Sequence, residues 1–127
     1  MVYDTVEDSE HHNDAVAIID SATELVIPSI VIHEYIWVMA RHLNINLNLI
    51  ALKLREYLMD PPRVNYLLED LSIYDRALNM MIEDRASTRD INDYLILSMA
   101  ISENAVLATF DLDLARRAIK RNVRVVP

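Results

Sequence analysis

A chain of 127 residues without a single glycine must make every tight turn with residues that carry a Cβ. Average usage would place roughly nine glycines in this length. The turns therefore fall to Asn, Asp and Pro, and the candidates are Asn44, Asn46, Pro61, Pro62, Asn104 and Asn122. The same absence removes the P-loop, the dinucleotide-binding fingerprint and the nucleophile elbow, all of which depend on glycine. With no cysteine either, disulfides, thiol nucleophiles and thiolate zinc sites drop out as well.

The length suits one domain, residues 1–127, large enough to bury a core. No apolar run approaches the roughly 20 residues of a membrane span, and the first residues form neither a basic nor a cleavable apolar segment. A cytoplasmic protein with no membrane partner is the expectation. The formal charge of −8 opposes a nucleic-acid partner, which usually meets a basic face. The charge is unevenly spread, however. The first 24 residues hold seven acids and no Lys or Arg, whereas Arg85, Arg89, Arg116, Arg117, Lys120, Arg121 and Arg124 crowd the last third. If several acids are metal ligands, the working charge is less negative, and a cation-dependent phosphodiester substrate stays open.

Hydrophobic spacing predicts alternating elements. Residues 1–5 read as a strand ending in Asp4, followed by a polar loop and a helix over 9–22 capped by Ser9, with Ala15, Ile18, Ile19 and Ala22 as its apolar stripe. A strand over 24–28 leads into a helix over 29–43 with Ser29 as N-cap. Leu47, Ile50, Leu54, Tyr57 and Leu58 mark the next helix, which Pro61-Pro62 must end. A strand over 64–69 and a helix over 72–85, with Ile73, Ala77, Met80 and Met81 inward, come next. The remainder predicts helices over 90–103 and 112–121 and strands over 105–110 and 123–126. Such alternation argues for an α/β fold, a parallel sheet with helices on both faces. Tyr35, Trp37, Met39 and the Met80-Met81 pair are assigned to its core.

In such folds the carboxyl ends of strands and the amino ends of the following helices share one edge, where ligands bind. Asp4, Glu34, Asp93 and Asp111 each fall at a strand end or in the first turns of a helix. Each also has an ordinary explanation. Asp4 suits a turn, Asp93 closes a capping box with Asp90 as N-cap, Asp111 caps the helix that follows it, and Asp113 favours that helix's dipole. Glu34 is harder to dismiss, because it lies in an apolar segment, Ile30 to Met39, where an unpaired carboxylate costs several kcal/mol. It needs an exposed edge, an arginine or a cation. His33-Glu34 is not a zinc-protease motif, since Trp37 stands where that motif requires its second histidine. His11-His12 reads as a solvated pair beside Asp14. Gathered acids repel unless a cation sits among them. Hard oxygen donors point to Mg²⁺ or Mn²⁺ and so to phosphodiester hydrolysis.

Four segments in register carry a resemblance: ValTyrAspThr at the start, IleProSerIleValIleHisGluTyrIleTrpValMet from Ile27, AspTyrLeuIleLeuSerMetAla from Asp93, and AlaThrPheAspLeuAspLeuAla from Ala108. In these the chain resembles the PIN-domain family, and within it the small VapC-like toxins of toxin–antitoxin pairs. The resemblance implies a three-layer α/β/α sandwich with a central, mostly parallel five-stranded sheet. It also implies a Mg²⁺- or Mn²⁺-dependent ribonuclease with an RNA substrate, a cognate antitoxin and a homodimer. The catalytic and metal-binding quartet it assigns is Asp4, Glu34, Asp93 and Asp111, with Asp113 as a further metal ligand, Thr109 nearby and Asp90 as rival to Asp93. The chain departs from the pattern after Thr5, where Val6 leads directly into Glu7–His12 and about half a dozen residues of the family pattern are missing.

That shortening motivates a second reading, a PIN-like protein-interaction or assembly module without nuclease activity. A phosphoacceptor signalling domain would need a lysine at a late strand end, and Lys120 falls in a predicted helix instead. Arg116, Arg117, Lys120 and Arg121 form a cluster with two readings, a grip on RNA backbone or a solvated last turn that suits the helix dipole.

Overall fold

The computed structural model describes residues 1–59 and 63–127, which form two compact units, Met1–Leu67 and Leu68–Pro127. The Pro61-Pro62 helix stop lies outside the described residues.

The first unit begins with a short helix, α1 (Val2–Thr5), where the sequence predicts a strand. Local bonds explain the difference. Thr5 Oγ1 donates back to the Met1 carbonyl at 2.9 Å, and the Val6 N–H reaches the Val2 carbonyl at 3.0 Å. The Tyr3 carbonyl, which a ladder would need, is taken by Ser9 Oγ at 3.3 Å and by His12 Nδ1 at 2.9 Å. Side-chain bonds of this kind compete directly with sheet pairing. His11 also sets its ring edge-on to Tyr3 at 5.0 Å, so the half-exposed histidine pair also clasps the first turn.

Helix α2 (His12–Ser21) starts three residues later than predicted, after Ser9 has accepted the His12 N–H. Strand β1 (Leu25–Pro28) runs straight into helix α3 (Ser29–Trp37), with Pro28 rather than Ser29 at the N-cap position. A wider π turn, Val38–His42, extends α3. Asn44, at φ 52°, then reverses the chain, and Asn46 caps α4 (Leu47–Leu58) by accepting the Asn48 N–H at 2.8 Å. Strand β2 (Val64–Leu67) pairs parallel with β1, Leu25 opposite Val64 through Pro28 opposite Leu67.

Two apolar clusters hold this unit. Ile27, Tyr57 and Val64 pack with Leu25, Val31 and Ile32; Tyr35, Met39 and Ile50 pack with Val2, Val6, Ile36, Ile45 and Leu54. Leu47 turns outward, and Trp37 is 50% exposed rather than in the core.

In the second unit α5 (Leu71–Asp84), α6 (Ile91–Ser102) and α7 (Leu112–Lys120) surround short strands β3 (Leu107–Ala108) and β4 (Val125–Val126), which pair in parallel. Helix α6 buries Tyr94, Leu95, Leu97, Ser98 and Met99, so it is apolar nearly all round, the mark of a central helix. Against it α5 presents Ile73, Ala77, Met80 and Met81. The buried Ser98 hydroxyl is satisfied by the Ile73 carbonyl at 2.9 Å.

The glycine problem is solved at the helix ends. After α5, α6 and α7 the chain turns through Arg85, Asn104 and Asn122 at φ 50°, 49° and 60°. Each is followed by an N–H that reaches back five residues: Ala86 to Met81, Ala105 to Ala100, and Val123 to Ala118. With the N–H bonds of Arg85 to Ile82, Asn104 to Ile101 and Asn122 to Ile119, each makes a Schellman motif, usually built on glycine. Asparagine tolerates the left-handed region; arginine there is the surprise.

The fold is therefore α/β with parallel pairing. Among the described residues, however, the strands form two two-stranded sheets and not the expected five-stranded one. Four of the five predicted strands are present, and the fifth is α1.

Candidate functional site

Asp4 sits within α1 with its side chain only 5% exposed. Its Oδ2 accepts the Tyr57 hydroxyl, and Lys53 Nζ stands 3.7 Å from the same oxygen. Oδ1 makes no hydrogen bond and faces the Met1 ammonium at 3.1 Å. Burial and the carboxylate push the Tyr57 phenol far above its ordinary value, so it remains a donor. Lys53 is raised too: burial opposes its charge, but Glu56 at 3.1 Å and Asp4 outweigh burial. Thr5 and Tyr35 extend the cluster through a hydroxyl–hydroxyl contact of 3.3 Å. Glu34, one residue before the buried Tyr35, is half-buried.

In the second unit Asp90 stands at the N-cap position of α6 and Asp93 at its third helical residue, as the capping-box reading requires, yet Asp90 makes no side-chain cap bond. Both acids instead take the guanidinium of Arg117, Nη2 to Asp90 at 2.8 Å and Nη1 to Asp93 at 2.7 Å. Asp111 follows its ordinary reading: Oδ1 accepts the Asp113 N–H at 2.8 Å and the Leu114 N–H at 3.0 Å, opening α7. Thr109 Oγ1 in turn accepts the Asp111 N–H at 3.1 Å. Asp113 is exposed and paired with Arg116 at 3.0 Å.

The basic cluster is thus held by acids. Arg116 and Arg117 are accounted for above; Lys120 reaches Asp84 at 2.5 Å, and Arg121 reaches Asp84 at 2.9 Å and Glu83 at 3.7 Å. Asp84 also accepts the Tyr94 hydroxyl at 2.8 Å, while Arg117 and Arg121 lie over the Tyr94 ring at 5.0 and 5.9 Å. Burial would raise the Asp84 carboxyl, but Lys120, Tyr94 and Arg121 outweigh it and bring its pKa down to about 2. This network floors a cleft of about 430 Å³ lined by Glu83, Arg85 and Lys120 among others.

Sequence reading missed Asp84, Tyr94, Tyr57 and Lys53. A signal for Asp84 does exist. An acid in the last turn of α5 opposes the helix dipole and calls for a cation.

By chemistry the acids suit a hard divalent cation, being oxygen donors without thiolate competitors. By position, several are already engaged: Asp4 by Tyr57 and Lys53, Asp90 and Asp93 by Arg117. Among the described residues no three acids or histidines gather in a way that could hold a metal ion. Asp111 keeps a more open arrangement, since both cap bonds end on one oxygen and the residue is exposed.

The PIN domain model matches residues 1–120, and the chain belongs to the PIN-domain family. Proteins of this family are generally nucleases that typically use divalent metals. Comparison with curated proteins gave no match. No helix among the described residues is long and apolar enough to cross a membrane.

Proposed function

We propose that the chain is a Mg²⁺- or Mn²⁺-dependent endoribonuclease, the toxin of a VapC-like toxin–antitoxin pair, working in the cytoplasm as a single 1–127 domain in a homodimer restrained by its antitoxin. The observation that carries the nuclease reading is the family match over residues 1–120. Asp4, Glu34, Asp93 and Asp111, with Asp113, would hold the cation. A bound divalent ion supplies an activated water and charge stabilisation at the phosphate.

The chain's own residues have definable tasks in this reading. Tyr57 and Lys53 orient Asp4. The cap bonds from Asp113 and Leu114 fix the Asp111 carboxylate, and Thr109 anchors its backbone. Glu34, half-buried in apolar α3, is the acid suited to orient or deprotonate the nucleophile.

The test is cleavage of single-stranded RNA by Asp4→Asn, Glu34→Gln, Asp93→Asn and Asp111→Asn, each checked for folding by circular dichroism. Losses of roughly hundredfold or more are expected in each. A folded variant with parental activity removes its residue from the site.

One observation favours the interaction-module reading: Asp4 lies in a helix and already holds Tyr57 and Lys53. That reading predicts a folded protein that binds no Mn²⁺ at millimolar concentration.

A further inference from the structure

Resting on the nuclease reading, we propose that Arg85 is a contact for the RNA backbone, offering its guanidinium to a phosphate seated in the cleft of the second unit. Arg85 closes α5 at φ 50° and ψ 42°, in the left-handed region that glycine enters at lower cost and that asparagine fills after α6 and α7. Strained backbone kept at the wall of a cleft, where a less costly residue would complete the same turn, points to a task for the side chain.

The cleft sets Arg85, Arg116, Arg117 and Lys120 against Glu83 and Asp84, four cations to two acids in a chain of formal charge −8. Three of the cations are already engaged: Arg116 by Asp113, Arg117 by Asp90 and Asp93, and Lys120 by Asp84. Arg85 alone of the four has no side-chain hydrogen bond or ion pair among the described residues, and it is exposed. Its planar fork of donors matches a phosphate, to which it can give two parallel bonds. Arg117 lines the same cleft and holds Asp93 at 2.7 Å, so a backbone seated there runs beside one of the acids assigned to cleavage. RNA fits better than an acidic protein, because the lining has no aliphatic side chain larger than Ala86 and so lacks an apolar anchor for a protein partner.

Anisotropy of a labelled single-stranded RNA titrated with the full chain, in EDTA and in Ca²⁺ over a series of monovalent salt concentrations, tests the contact. Arg85→Gly is expected to bind roughly fivefold to tenfold more weakly than the parent, and its slope of log Kd against log salt to be shallower by about 0.7, the share of one phosphate on a single strand. Since glycine relieves the backbone, that loss is not a loss of fold, and Arg85→Asn, which also suits the turn, is expected to behave alike. Arg124→Gln removes an exposed arginine outside this cleft and is expected to keep the parental affinity and slope. Parental values in both Arg85 variants, or an equal loss in Arg124→Gln, overturn the contact and leave the nuclease reading standing. No RNA binding by the parent in either medium also overturns it, and the nuclease reading falls with it if the parent cuts nothing in Mn²⁺. Polyglutamate bound through Arg85 in place of RNA gives the cleft to an acidic protein and overturns the RNA assignment.

Discussion

Asp84 carries more of the second unit's electrostatics than any acid singled out from the sequence. Its pKa is lowered from 3.8 to about 2, so the folded state holds the proton less tightly than the unfolded chain does. The stabilisation is complete above about pH 5 and is lost as pH falls through the window from about 4 to 2. Discounted for the solvent around Lys120, it amounts to about 1 kcal/mol. Urea titrations of the parent and Asp84→Asn at pH 7 and pH 2.5 should therefore differ clearly at the first pH and much less at the second. A constant gap would contradict the assignment. In the first unit, Tyr57→Phe removes the hydroxyl that Asp4 accepts and should cost about 1.5–3 kcal/mol, the range for a hydrogen bond to a charged group, read as a lowered urea midpoint with unchanged slope. These pairings were not legible in the sequence, because Asp4 and Tyr57 are 53 positions apart and Asp93 and Arg117 are 24 apart. Periodicity and local motifs report only on neighbours within a turn or two.

At the scale of elements, legibility follows the length of the repeating pattern. Helices α5 and α6 lie within a residue of their predicted spans, since each carries an apolar pattern over several turns. The strand predicted over residues 1–5 failed because five residues carry too little pattern to outweigh bonds from Thr5, Ser9 and His12. Reading the missing glycines as Asn turns was sound: Asn44, Asn104 and Asn122 all have positive φ. Arg85 was not foreseen, because nothing local distinguishes it from a surface arginine closing α5. It stands in the same left-handed region at a cost that glycine avoids. Arg85→Gly should therefore stabilise the protein by about 0.5–1 kcal/mol, raising the thermal midpoint by a few degrees. Asn122→Ala, which keeps a Cβ and loses the amide, should lower it. A fall in midpoint for Arg85→Gly would mean that contacts made by the arginine outweigh its backbone strain.

For the molecule as a whole, the charge pattern acquires a physical explanation. Arg116, Arg117, Lys120 and Arg121 are bound to acids of the same unit, so the formal −8 is not offset by a free basic face on α7. An RNA substrate would then be gripped chiefly through cation-bridged phosphate rather than through a lysine- and arginine-rich groove, and cleavage should depend more steeply on divalent metal than on monovalent salt. The four acids stood out in the sequence because each falls at a predicted strand end or in the first turns of a helix; the engagement of Asp4 by Tyr57 and Lys53 and of Asp93 by Arg117 did not. Cleavage of a mixed single-stranded RNA panel in Mn²⁺, in Mg²⁺ and in EDTA, with Asp93→Asn beside the parent, tests the central claim most directly. Cutting by the parent in Mn²⁺ or Mg²⁺ that EDTA stops and Asp93→Asn lacks is the predicted result. Folded parent protein that cuts nothing in either metal, or an Asp93→Asn variant that cuts as well as the parent, would contradict it.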